Sequence, residues 1–341
     1  MIYKNAEFHN VAELIQNDDS SVSWMRMPQY VKDNLDSEGL MVYNSTGVEI
    51  RFVLKGEKAV IRMSTKNSDC GGLFHIYRGA IQGGWQDHEV HKFVTDKPEE
   101  FEISRSENIN NLKFMTKKAG YNWSPEVVRI IFDRGYYKIY DIIGDIEPPK
   151  KEDKPTKTIL SYGSSITHGS NSLTSSHSWV SMLAHNLKMD ARNLGMAGTC
   201  RLESAVADYI AAEGEAGNWD IATLELGINV LGWNESLITE KSEYFIKEIA
   251  IRNPQKEIFV ISPFCFYGDD IHNTENSKNW RRILKEIVER FNFPNVTYIN
   301  GADVIGDSSL YISADEVHPN IYGCLKIAEV LTEKIKSLIE K

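Results

Sequence analysis

TILSYGSSITHG, residues 158–169, begins as a short apolar run, passes through two adjacent serines and precedes a helix-like stretch that starts near His177. A buried strand that hands over to a helix needs a turn there, and small residues allow a sharp one. Two readings fit this composition: a plain polar turn, or a hydroxyl nucleophile held at a corner. The flanking sequence bears on the choice.

Downstream, short apolar runs alternate with amphipathic stretches, the pattern of a parallel sheet covered on both faces. Strands are expected at 158–162, 191–194, 220–226, 257–262 and 296–299. Helices are expected near 177–188, 201–212, 238–252 and 276–291, with a last one from about Pro319 to Ile339. The expected class is α/β: a C-terminal three-layer α/β/α domain on a five-stranded parallel sheet. Ligands of such sheets sit beyond the carboxyl ends of the strands, so the loops there are the first place to look for chemistry.

Upstream, the apolar period is two. Val48, Ile50, Phe52 and Leu54 alternate with Glu49, Arg51 and Lys55, and Val128, Ile130 and Phe132 alternate with Arg129 and Asp133. That is a strand pattern, and Asp133-Arg134-Gly135 ahead of Tyr136–Tyr140 reads as a hairpin turn. Short strands broken at Gly71-Gly72 and Gly83-Gly84 point to an all-β sandwich or jelly roll. Between the halves, IEPPKKEDKPTK (146–157) has three prolines, many charges and little to bury, as a linker or exposed strap does. The expected division is a β-sandwich (jelly-roll-like) accessory domain over 1–148, a linker over 149–157 and the α/β domain over 158–341.

A chain of 341 residues with 42% hydrophobic and 25% charged residues is ordinary for a two-domain soluble protein. No stretch approaches the roughly 18 apolar residues of a membrane span. The first residues, MIYKNAEFHNVAEL, lack the basic start and apolar core of a secretory signal, so a cytoplasmic location without a membrane partner is expected. A net charge of −10, from 38 basic and 48 acidic residues with no basic block, argues against a nucleic-acid partner. Cys70, Cys200, Cys265 and Cys324 are far apart and form no CxxC pair, so reduced thiols are expected rather than disulfides or a zinc cage. With neither a P-loop nor a GxGxxG fingerprint, no cofactor is expected.

Four loops fall on one edge of the expected sheet: Gly163-Ser164-Ser165, Gly195-Met196-Ala197-Gly198, Gly227-Ile228-Asn229 and Asp315-Glu316-Val317-His318. A serine hydroxyl becomes a useful nucleophile only when a base removes its proton, and a histidine base needs a carboxylate to fix its tautomer. Asp315 and His318 stand just before the last helix, whose first position suits Pro319. From a cap position, His318 can turn one nitrogen to Asp315 and aim the other at Ser165. An acyl transfer also needs donors where the oxyanion forms, each worth roughly 3 kcal/mol. The Gly198 N–H, the Asn229 side-chain amide and the Ser165 N–H are the candidates. Singly, each of these residues has a bland reading as a helix cap, a tight turn or a local backbone partner.

Together the four blocks resemble the SGNH, or GDSL-type, hydrolases. Gly163-Ser164-Ser165-Ile166-Thr167 matches the family's nucleophile block, Gly198 its second-block glycine, Asn229 its third-block asparagine, and Asp315 with His318 its fifth-block DxxH, in family order over roughly residues 158–338. The resemblance implies a flavodoxin-like catalytic domain, a Ser165–His318–Asp315 triad, and an oxyanion hole of Ser165, Gly198 and Asn229. Two positions depart from the pattern: Ser164 replaces the usual aspartate, and Val230 follows Asn229 where many members have aspartate. These bear on subfamily and substrate more than on catalysis. A register one residue earlier would make Ser164 the nucleophile. The α/β-hydrolase elbow GxSxG is not matched, since position 167 is threonine.

Other candidates are weaker. His88 and His91 in DHEVHK miss the HExxH spacing, whose last position is Lys92, and strand residues three apart face opposite ways, so no metal is expected. His168 reads as a pocket or loop residue, and Trp233, Phe264, Phe266, Tyr267 and Trp280 as pocket walls or core. Trp85 and Trp123 read as sugar-stacking groups or as parts of a structural sandwich. The resemblance thus implies a serine esterase that cleaves carboxylic esters through an acyl-enzyme. Some SGNH esterases acting on carbohydrates or natural-product esters carry a jelly-roll-like first domain, which suggests carbohydrate O-deacetylation. The alternatives are an acyltransferase using the same triad on an alcohol acceptor and an inactive carbohydrate-binding protein. The expected partner is a small-molecule or oligosaccharide ester; the oligomeric state stays open.

Overall fold

Where β-branched and aromatic residues alternate with polar ones, the chain forms strands, and where apolar residues recur at helical spacing it coils. The structure, a computed structural model, describes residues 1–66, 72–85, 89–271 and 275–339. Cys70, Gly71 and His88 lie outside the described residues. Two compact units are present, 1–29 with 42–156 and 30–41 with 157–341. The sequence placed 30–41 with the N-terminal domain. In the structure this segment is tied into the second unit, where Arg201 Nη1 donates to the Asp36 carbonyl at 3.3 Å. The proline-rich stretch is a strap on the first unit, its Asp153 carbonyl accepting from Ser124 N–H at 2.9 Å.

The first unit is an antiparallel network built on one long strand, Glu49–Lys66. Residues 49–53 of this strand pair with 127–131 and its start with 7–9, whereas its later part pairs with 99–104 and 136–144. One strand therefore serves two layers, which enclose Phe8, Trp24, Phe52, Phe74, Phe132 and Tyr137. Irregularities at Ile139/Asp141 and Gly144/Ile146 let the neighbouring strand follow the bend. The hairpin expected at 133–135 does not form. Val127–Phe132 and Tyr136–Glu147 lie on opposite sides of Glu49–Lys66, which separates them.

In the second unit we label the strands β1 (Thr158–Gly163), β2 (Asp190–Gly195), β3 (Ile221–Glu225), β4 (Glu257–Ile261) and β5 (Val296–Ile299), and the helices α1 (Ser165–His168), α2 (Trp179–Leu187), α3 (Ser204–Glu215), α4 (Glu235–Arg252), α5 (Glu275–Phe291) and α6 (Ile321–Ile339). The sheet is parallel with order β2-β1-β3-β4-β5, the flavodoxin-like order. Alternate strand residues face opposite layers. Ile159, Ile221, Phe259 and Ile299 pack with Trp179, Leu183, Ile327 and Leu331 of α2 and α6. On the other face Leu160, Tyr162, Leu224 and Val260 are buried, and Tyr162 stacks on Phe245 of α4 at 5.0 Å. The third helix starts three residues later than expected because Leu202 takes φ +53° and Glu203 is extended.

Among the described residues no helix is long and apolar enough to cross a membrane. Cys200, Cys265 and Cys324 are buried.

Candidate active site

Ahead of α6 the chain closes a short loop on its own backbone. Ile312 and Pro319 form an antiparallel bridge, Ser313 N–H donates to the His318 carbonyl at 2.8 Å, and Glu316 N–H to the Ser313 carbonyl at 3.0 Å. Pro319 is thus committed to the bridge and does not open the helix. Asn320 caps it instead, its Oδ1 accepting from Gly323 N–H at 3.0 Å. The tight turn puts Glu316 at φ +69°, a conformation that costs a non-glycine residue about 1 kcal/mol. Asp315 Oδ1 accepts from the N–H groups of Val317 at 3.1 Å and His318 at 2.9 Å. With that oxygen engaged, Oδ2 meets His318 Nδ1 at 2.8 Å and also accepts from Asn171 Nδ2 at 2.6 Å. Partial burial pushes the Asp315 pKa up, but the His318 and Val317 donors outweigh it and hold the carboxyl at about 2.

His318 Nε2 lies 2.7 Å from Ser165 Oγ, across 153 residues of sequence. With Nδ1 carrying its proton toward Asp315, Nε2 accepts from the serine hydroxyl. Ser165 opens α1, and Ser164 caps it: Ser164 Oγ accepts from Ile166 N–H at 3.1 Å. The Ser164 N–H and O–H both donate to Glu225 Oε2, at 2.8 and 2.7 Å. Of the two serines, Ser165 has its hydroxyl at the imidazole and Ser164 is turned into the interior. A Cβ at Gly163 would stand 2.3 Å from Thr167 Oγ1 and 2.6 Å from Glu225 Oε2, so only glycine lets the turn fold back over the strand end.

The loops after β2 and β3 are joined to this turn and to each other. Met196 N–H donates to the Gly163 carbonyl at 2.8 Å, and Cys200 N–H to Asn229 Oδ1 at 3.1 Å. The second bond orients the Asn229 amide and leaves Nδ2 as its donor. Trp280, fully buried in α5, braces the same loop through Nε1–H to the Val230 carbonyl at 3.2 Å. Gly198 has φ +69°, while a Cβ there would meet nothing within 4 Å. Backbone conformation, not crowding, calls for glycine at this position.

A hydroxyl bonded to an imidazole that a carboxylate holds in one tautomer can lose its proton as it attacks a carbonyl carbon. Residues 156–336, which span these loops, match the GDSL-like Lipase/Acylhydrolase family. The chain belongs to that family. It is accordingly an enzyme of the SGNH/GDSL esterase superfamily, acting on ester bonds. No curated protein sequence matches the chain. Among solved structures it is similar to the salicylyl-acyltransferase SsfX3 from a tetracycline biosynthetic pathway, with 16% identity, 98% of this chain and 95% of that one covered, and a TM-score of 0.77. It is also similar to a family two carbohydrate esterase from Cellvibrio japonicus (12% identity, 99% and 96% covered, TM-score 0.67). A third is the acetyl xylan esterase Est2A from the rumen bacterium Butyrivibrio proteoclasticus (11% identity, 100% and 97% covered, TM-score 0.59). These likenesses extend over both units and speak to the fold.

The remaining candidates separate by burial. His168, Phe264, Phe266 and Trp280 are buried. Trp123 is buried too, with the guanidinium of Arg129 4.2 Å and that of Arg51 4.8 Å from its ring, so it does not offer a face to a sugar. Trp85 is 75% exposed. Among the described residues no group of three His, Cys, Asp or Glu side chains forms a metal cluster. Sequence reasoning missed Asn171, which no motif marks, and Glu225. For Glu225 a signal was present, one carboxylate ending the apolar strand IATLE.

Proposed function

We propose that this chain transfers acyl groups from carboxylic esters through a Ser165 acyl-enzyme. The observation that carries this reading is the unbroken line from Asp315 through His318 to Ser165, with contacts of 2.8 and 2.7 Å. Ser165 Oγ attacks the acyl carbon as its proton passes to His318 Nε2, and Asp315 stabilises the imidazolium. The Ser165 and Gly198 N–H groups and Asn229 Nδ2 receive the oxyanion. The imidazolium then protonates the departing alcohol, which leaves the acyl group on Ser165. In the second half an acceptor O–H gives its proton to Nε2, attacks the acyl carbon and releases Ser165, which regains its proton. An intact relay speaks against an inactive binding module.

Two acceptors compete, an alcohol and water. The TM-score of 0.77 to an acyltransferase, above those to the esterases, supports an alcohol acceptor. Hydrolysis, with O-deacetylation of a carbohydrate, is the second reading, supported by the likeness to carbohydrate esterases. The test is product partitioning: p-nitrophenyl acetate with graded sugar and aromatic alcohols, the esters and free acid quantified. New ester rising with acceptor concentration at constant p-nitrophenol release supports transfer, and free acid alone supports hydrolysis. Ser165→Ala turning over like wild type would end both readings.

A further inference from the structure

Beneath the nucleophile turn lies a carboxyl group that the acyl-transfer scheme leaves unused. Glu225, the last residue of β3, is completely buried at the end of an apolar strand. Its Oε2 receives three hydrogen bonds from the turn: Ser164 N–H at 2.8 Å, Ser164 O–H at 2.7 Å and Thr167 O–H at 3.0 Å. The consequence runs on through Ser164. With its proton committed to Glu225, the Ser164 hydroxyl offers a lone pair to Ile166 N–H at 3.1 Å, and the Ser164 carbonyl accepts from His168 N–H at 2.9 Å. Asn193 Nδ2 holds the other end of the turn through the Thr167 carbonyl at 2.8 Å. These bonds engage the N–H groups of Ser164, Ile166 and His168, and they leave the Ser165 N–H at the head of the turn for an incoming oxygen.

We propose that Glu225 is a positioning residue for the reaction. It grips the turn at Ser164 and Thr167, so that the hydroxyl of Ser165 meets His318 and its N–H faces the reacting oxygen. This inference rests on Ser165 being the nucleophile. An apolar side chain would fill the end of β3 without the cost of burying a carboxyl, so the three converging donors are the reason for the group being there. Burial raises the Glu225 pKa to about 7. Oε1 has no hydrogen-bond partner among the described residues, so a proton added there leaves the three bonds to Oε2 in place.

Glu225→Leu tests the role, because it keeps about the same bulk and removes the acceptor that the three donors share. With p-nitrophenyl acetate, kcat should fall about 10- to 100-fold, the range for a displaced catalytic group, with KM within about twofold. Fluorophosphonate labelling of Ser165 should slow in parallel. A side chain needed only for packing would move the melting temperature and leave kcat and labelling per folded molecule unchanged. If Glu225→Leu does not fold, Ser164→Ala carries the test by removing the hydroxyl that joins Glu225 to the Ile166 N–H. A kcat within twofold of wild type in whichever variant is folded overturns the inference. Ser165→Ala separates the two levels. If it is inactive while the tested variant is fully active, only the positioning role fails; if it retains turnover, the nucleophile assignment itself fails.

Discussion

Asp315→Asn should remove most turnover from this enzyme without unfolding it. The N–H groups of Val317 and His318 both donate to Asp315 Oδ1. The new amide is therefore expected to keep its oxygen at that place. Turning it over would set an NH2 group against two N–H donors and orphan both, at roughly 1–3 kcal/mol each. The amide nitrogen then occupies the position of Oδ2, opposite His318 Nδ1 and the Asn171 side chain, whose amide turns over to present its oxygen. A donor there obliges Nδ1 to accept, which moves the ring proton to Nε2, the nitrogen 2.7 Å from Ser165 Oγ. Protonated Nε2 cannot take the serine proton. The wrong tautomer costs a serine triad about 10⁴ in kcat, so a loss of about 10³ to 10⁴ is expected, or roughly 4–5 kcal/mol of barrier. The measurements are kcat and KM for p-nitrophenyl acetate between pH 6 and 9, with circular dichroism to establish folding. A folded variant whose kcat stays within tenfold of wild type would refute the tautomer argument.

Asn229→Ala removes the side-chain donor proposed for the oxyanion and should lower kcat about 10²- to 10³-fold; a loss below tenfold would take Asn229 out of that role. Gly198→Ala meets no steric obstacle but must hold φ +69°, so urea unfolding should show a loss of roughly 1 kcal/mol, with slower turnover as the amide shifts. Buried Glu225 adds a pH dependence to stability. Its folded value, about 7, lies above the ordinary 4.5, so the folded state binds the proton more tightly. That contribution is fully present below pH 4.5 and is lost as pH rises through 7, amounting to roughly 3 kcal/mol. Glu225→Gln should gain by about that amount relative to wild type between pH 4.5 and 8, and a constant gap in denaturant unfolding would contradict it.

Sequence by itself determined the strand and helix pattern of residues 158–339 and the candidates for its site. Strand and helix periods are local properties, and a parallel sheet buried on both faces writes each strand as a short apolar run. The observed strands accordingly lie within a residue of those expected. Ser165, Asp315 and His318 were legible because each follows a strand or precedes a helix in a recognisable block. The first unit was legible only as strands. Which strand pairs with which depends on how Glu49–Lys66 bends between layers, and no local pattern reports that, so Val127–Phe132 and Tyr136–Glu147 looked like partners and are not. The family resemblance already pointed to Ser165; tertiary structure supplies the physical difference between the two serines, which are chemically identical. A carboxylate 61 residues away turns Ser164 inward, and an imidazole 153 residues away receives Ser165. Asn171 likewise reaches Asp315 across 144 residues. Hydrogen bonds of this kind depend on distances and directions to within a few tenths of an ångström, and these exist only once the chain has folded.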